Sequence, residues 1–183
     1  MKKTKFFLFS LAFLLGISNK MTAQDRVFPF LKTGGGMFNV PEAVPLADLK
    51  TKYKIMVDIS TPATSTDSVH QALDKLARLV NLHLSAGIPK ENLAVVAVFH
   101  TGATPIILSD EAYQKKYKVP NPNTLLINEL AANGVQLFVC GQSLRARKLV
   151  DEKRNVNIKV AQSALLALST FQMKGFVLVP LGL

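Results

Sequence analysis

The sequence predicts a three-layer α/β/α sandwich on a five-stranded parallel sheet, and three features predict it. Leu93 to Phe99 is a run of seven apolar residues ending at His100, as in a strand covered by helices on both faces. Five segments of strand character alternate with segments of helical spacing, the rhythm of right-handed βαβ units. The chain has 183 residues, 49% of them hydrophobic, no tryptophan and one cysteine. That length suits a single domain able to bury its core without disulfides or metals.

The first 24 residues stand outside that core. Lys2, Lys3 and Lys5 precede an apolar run from Phe6 to Ile17, broken only by Ser10 and Gly16. Polar Ser18, Asn19 and Lys20 follow, then small residues at Thr22 and Ala23. This is the order of a secretory signal, with cleavage expected near Ala23 or Gln24. An uncleaved anchor is the alternative, but the run is shorter than the roughly 20 residues of a membrane span. No second long apolar segment follows, so the mature chain is expected to be soluble and exported.

Residues 25–52 read as an irregular N-terminal arm, punctuated by Pro29, Gly34-Gly35-Gly36, Pro41 and Pro45. The glycines are not a phosphate loop, because the Lys and Ser/Thr of a P-loop are missing. The regular domain is expected over 53–183.

Lys54 to Ile59 is the first strand. Ser65 or Thr66 is the expected cap of a helix whose apolar face runs Val69, Leu73, Leu76, Val80, Leu84, with Gly87 and Pro89 as its stop. The Leu93–Phe99 strand comes next, then a short helix over 110–117. Asn121 and Pro122 open another helix through Leu126, Leu130 and Ala131, closed by Gly134. Val135 to Cys140 is the third strand, followed by a helix from near Ser143 to near Val150. Val156 to Ala161 is the fourth strand, Ser163 to Lys174 a helix stopped by Gly175, and Phe176 to Val179 the fifth strand.

Ligands of open parallel sheets bind beyond the carboxyl ends of the strands. The positions there are Ser60 and Thr61, His100 to Thr104, Cys140 to Ser143, and Ala161 to Ser163, among which Cys140 and His100 carry the reactive chemistry. Gly141 lets the chain turn after Cys140, and the amides of the next helix point back at the sulfur, favouring a thiolate. Arg145, placed by this reading in that helix's first turn, adds positive charge. One cysteine makes no internal disulfide; it is a buried hydrophobe, a link to another chain, or a reactive group. His100 is a possible base or anion contact, with Gly102 keeping its loop open, or else a satisfied strand-end histidine. A Cys–His hydrolase would need an orienting acid, and none stands out at the strand ends, Asp58 lying within its strand.

Other functions are disfavoured. His70 and His83 lie 13 residues apart and form no metal pair, and one cysteine supports no zinc site. No cofactor is implied. Four of the 22 Lys and Arg residues fall in the signal, leaving 18 against 12 acids, a net charge of +6. The basic clusters, Lys153 and Arg154 among them, read as solvated faces and not as a nucleic-acid surface, since no aromatic stripe interleaves them.

The stretch Asn133-Gly134-Val135-Gln136-Leu137-Phe138-Val139-Cys140-Gly141-Gln142-Ser143-Leu144-Arg145 resembles the DsrE/DsrF-like family, which includes TusD-type sulfur-relay subunits. There a Gly-Val strand leads to a sulfur-carrying cysteine and a Leu-Arg pair. Pro122 to Leu130 resembles the helix before that strand, and Val95 through His100 and Gly102 is similar to the strand and His-Gly turn of exported relatives. The resemblance runs from about Tyr53 to the C-terminus. It implies a five-stranded parallel sheet, assembly into trimers or hexamers, and a cysteine that accepts sulfur as a persulfide from a donor protein or passes it to an acceptor. Carried over, that role falls to Cys140 alone; the reading of the strand ends adds the amides around Gly141, Gln142 and Ser143 and the charge of Arg145 beside the sulfur, with His100 toward the donor. The expected function is a periplasmic persulfide carrier or sulfurtransferase-like protein using Cys140; the alternative is a non-catalytic ligand-binding or assembly module of the same fold.

Overall fold

The computed structural model describes residues 25–181, so the secretory signal expected over 1–24 lies outside the described residues. Five parallel strands form one sheet: β1 (Tyr53–Ile59), β2 (Leu93–Phe99), β3 (Gln136–Cys140), β4 (Ile158–Ala161) and β5 (Val177–Leu178), in the order β4-β3-β2-β1-β5. The helices are α1 (Gln71–Ser85), α2 (Asp110–Tyr117), α3 (Thr124–Ala132), α4 (Gly141–Ala146) and α5 (Ala164–Met173).

Strand alternation sorts the core into two unequal halves. Ile55, Val57, Ile59, Val95, Ala97, Phe99, Leu137 and Val139 face α1 and α3, meeting Leu73, Leu76, Val80, Leu126, Ile127 and Leu130. The opposite face is smaller: Val96, Val98 and Cys140 pack with Ala164 and Ala167 of α5. Among the described residues α5 covers that face, and it leaves Leu165, Met173 and Val177 exposed.

The arm is tied down by side chains of the domain. Asn81, fully buried, accepts from the Leu31 amide at 2.8 Å and donates to the Gly35 carbonyl at 3.0 Å. Glu129 accepts from the amides of Lys32 (2.7 Å) and Thr33 (2.9 Å). Gly35 sits at φ +74° with its backbone against α1; a Cβ there would lie 2.4 Å from main-chain atoms of Ala77 and Arg78. That close approach accounts for a glycine in a segment with no phosphate loop.

Helix boundaries differ from the sequence expectation where a cap comes from afar. α1 starts at Gln71, capped by His70 through Nδ1, which accepts from the Ala72 amide at 3.2 Å; Ser65 and Thr66 stay in the preceding irregular segment. α3 starts at Thr124, because Asn121 is occupied elsewhere, donating to the carbonyls of Ile106 and Leu108 at 2.8 Å each. α4 begins at Gly141 rather than near Ser143 and ends at Ala146, with Cys140 itself as its cap. Thr101–Ile107, expected to be loop, is a 3-10 helix containing Pro105.

Candidate functional site

Cys140 is the last residue of β3 and the cap of α4, so no spacer separates the strand from the helix. Its sulfur accepts a hydrogen bond from the Ser143 amide at 3.4 Å. Burial pushes the thiol's pKa up, but hydrogen bonds from the Ser143 hydroxyl and the amides of Ser143, Ala164 and Gln142 outweigh this and hold it below the ordinary thiol value. Ala164 opens α5 and packs in the same small core cluster as Cys140, so the starts of two helices lie at the cysteine turn. The residue is 4% exposed, and its covering neighbours include the small Ala161, Ala164 and Ala167. The lowered pKa favours the thiolate form of a sulfur that is buried.

His100 follows β2, one strand away; the register Phe99↔Val139 continues toward Cys140. Its Nε2 nevertheless pairs with Asp58 Oδ1 at 2.5 Å, on the opposite neighbour β1. Among the described residues no hydrogen bond joins His100 to the Cys140 sulfur. The acid that the sequence did not single out is thus Asp58. Register reveals it: Asp58 pairs with Val98 and so lies on the α5 side of the sheet, whereas its chain neighbours Val57 and Ile59 point the other way, into the larger core.

Gly102 does not hold its loop open. A Cβ on it would lie 2.5 Å from the Pro62 nitrogen, so the Gly102 backbone packs directly on the β1–α1 connection.

Beside the cysteine turn lies an open cleft of about 400 Å³ at the β4 edge. Gly141 and Gln142 form one wall, Leu144, Val150 and Val160 are apolar lining, and the guanidinium-bearing Arg145 and Arg154 also line it. Arg145 stands in the last turn of α4, not the first, so its charge serves this cleft rather than the helix end that holds the sulfur. Arg154, which sequence reasoning assigned to a solvated cluster, is fixed by donation from Nη1 to the Val150 carbonyl at 3.1 Å. No local pattern announces it, because it reaches the cleft through an irregular connection. A second cleft of about 290 Å³, lined by Asp58, Ser60 and Thr61, opens at the other side of the sheet edge. Among the described residues no three His, Cys, Asp or Glu side chains gather to hold a metal ion. No helix among them is long and apolar enough to cross a membrane.

Residues 52–180 match the model of the DsrE/DsrF-like family. Two solved structures share the fold. One is a protein of unknown function, MTH1491, from Methanobacterium thermoautotrophicum, at 16% identity and a TM-score of 0.54. The other is the ychN protein from E. coli, at 13% identity and a TM-score of 0.52. Each likeness covers 70% of this chain and 98% of the other. No curated protein matches the chain.

Proposed function

The chain belongs to the DsrE/DsrF-like family, and from that premise we propose that it is an exported, periplasmic persulfide carrier of the sulfur-relay kind, with Cys140 as the sulfur acceptor. The observation that carries this reading is the hydrogen bond from the Ser143 amide at the start of α4 to the Cys140 sulfur at 3.4 Å, in surroundings that lower the thiol's pKa. A thiolate is the form that attacks sulfane sulfur.

The step is a thiol–persulfide exchange with no net oxidation. The Cys140 thiolate attacks the outer sulfur of a donor persulfide, R–S–SH. The donor S–S bond breaks, its electron pair leaves on RS⁻, and Cys140 becomes Cys–S–SH. Delivery to an acceptor thiolate reverses the exchange. The Arg145–Arg154 cleft, beside Gly141, suits the anionic portion of a donor or the acidic surface of a partner. His100, held by Asp58, is the group next along the sheet edge.

Cyanolysis tests this. Protein incubated with polysulfide and desalted should release thiocyanate on addition of cyanide, in stoichiometric amount, and Cys140→Ser should release none. Equal release from both proteins would refute the assignment.

The burial of Cys140 favours a second reading, a non-catalytic assembly module. Leu165 at 82% exposure and Met173 at 88% lie on the thinly covered α5 face, which fits a homo-oligomer interface in either reading. Under the second reading Cys140→Ser changes neither assembly nor ligand binding, and the wild type yields no thiocyanate.

A further inference from the structure

We propose that the cleft at the β4 edge is a binding site for a small organic carboxylate, with Arg154 as its fixed anchor and Arg145 as the second cation. Binding there needs no reaction at Cys140, so the site stands whether or not sulfur is carried.

The cleft, at about 400 Å³, falls in the size range of small-molecule sites. It combines an apolar lining from Leu144, Val150 and Val160 with two guanidinium groups. Among the described residues no Asp or Glu lines it, and neither guanidinium has a carboxylate within ion-pair distance. The acids next to Arg154 in the chain, Asp151 and Glu152, line a different cleft with Glu111 and Lys153. Two cations therefore share one concavity without a counter-charge from the protein, and an anion supplies it.

Arg154 is preorganised for that task. Its main chain is bridged to Leu108, with the Ser109 amide donating to the Lys153 carbonyl at 3.0 Å and the Asn155 amide to the Ile107 carbonyl at 2.9 Å. Its side chain is pinned through Nη1 alone, which donates to the carbonyls of Val150 at 3.1 Å and Glu152 at 3.4 Å. A guanidinium carries its N–H donors in a rigid planar fork. With Nη1 occupied, Nε and Nη2 remain without a partner among the described residues, and these two nitrogens share one edge of the plane. That edge offers two parallel N–H groups spaced for the two oxygens of a carboxylate. Because the side chain is already held, less conformational entropy is lost when a ligand binds. Arg145, exposed on the last turn of α4, has no hydrogen-bond or ion-pair partner among the described residues and is free to close on the same anion.

The lining selects among anions. Val150 and Val160 are exposed, so a ligand with a hydrocarbon body gains by covering them while its carboxylate meets the arginines. A bare inorganic oxyanion, or an acidic side chain presented from the surface of another protein, uses the charges and leaves the valines wet.

The test is a titration of the mature protein at low ionic strength with hexanoate, acetate, hexanamide and inorganic phosphate, followed by amide chemical shifts. Hexanoate should bind with a Kd on the order of 1 mM and move the resonances of Gly141, Gln142 and Arg154. Acetate, hexanamide and phosphate, which each lack one half of the match, should bind at least roughly tenfold more weakly. Arg154→Lys keeps the charge and loses the fork, and should weaken hexanoate roughly tenfold. Arg145→Gln removes a side chain with no contacts to lose, so it leaves the fold intact and should weaken hexanoate several-fold. Thermal melts show that each variant is folded. No saturable shift at this cleft, equal affinity for any of the three comparison ligands, or wild-type affinity in either folded variant would overturn the proposal. The readout is binding, so it is independent of the cyanolysis result.

Discussion

Replacing Gly102 by alanine should couple stability to sulfur chemistry. An added Cβ would lie 2.5 Å from the Pro62 nitrogen, 2.7 Å from its Cδ and 2.9 Å from its Cα. Two of those atoms are backbone and the third belongs to a closed ring, so no side chain swings aside. Restoring ordinary contact requires the 3-10 segment and the β1–α1 connection to part by about 1 Å. Overpacking of this kind costs about 1–3 kcal/mol. The same movement stretches the Thr101 bonds to Ser60 and Ser143, for about 1 kcal/mol more. At about 2–4 °C per kcal/mol for a chain of this size, the melting temperature should fall by roughly 5–15 °C. Calorimetry measures the fall, and alkylation of Cys140 should show its pH midpoint displaced upward. A melting temperature within about 1 °C of the wild type, with the midpoint unchanged, would refute the reasoning that this contact is tight and that it reaches the sulfur.

Three further outcomes follow from particular contacts. Burial lowers the His70 pKa from its usual 6.5, against the opposing effect of bonds to the Thr61 and Pro62 carbonyls. The unfolded chain therefore takes up this proton first as pH falls, and stability present above about 6.5 is lost on acidification. The melting temperature of the wild type should drop more between pH 7 and 5 than that of His70→Asn, which keeps a capping side chain; parallel slopes would contradict this. Asn81→Ala strands main-chain groups of Leu31 and Gly35 and should cost about 2–4 kcal/mol, exposing Arg26 and Lys32 to trypsin; unchanged protection would show that the arm is held otherwise. Because Cys140 is buried under small residues, iodoacetamide should modify it much faster than a bulky maleimide, and equal rates would mean that the site opens widely.

The fold is legible where burial shapes composition. β2 is apolar throughout because it lies mid-sheet, and the α1 stripe from Leu73 to Leu84 follows the face it buries. The place of Cys140 at the sheet edge is legible because an apolar strand runs straight into Gly141, where the chain turns into α4. What escapes depends on register or on distant partners. Asp58 looks like an interior strand position until its pairing with Val98 puts it on the face of His100. His70 caps α1 because its ring also reaches the Thr61 carbonyl at 3.0 Å, a contact that no capping pattern in the sequence encodes. Arg145 reads as a first-turn residue only if α4 starts near Ser143; the actual start at Gly141, with the cysteine as cap, moves it to the last turn.

The most direct measurement is the intact mass of the mature protein after brief exposure to polysulfide, with Cys140→Ser alongside. The account predicts a gain of whole sulfur atoms in the wild type, reversed by a reducing thiol and absent from the variant. A folded, reduced wild type that gains no sulfur, or a gain that survives in Cys140→Ser, would contradict it.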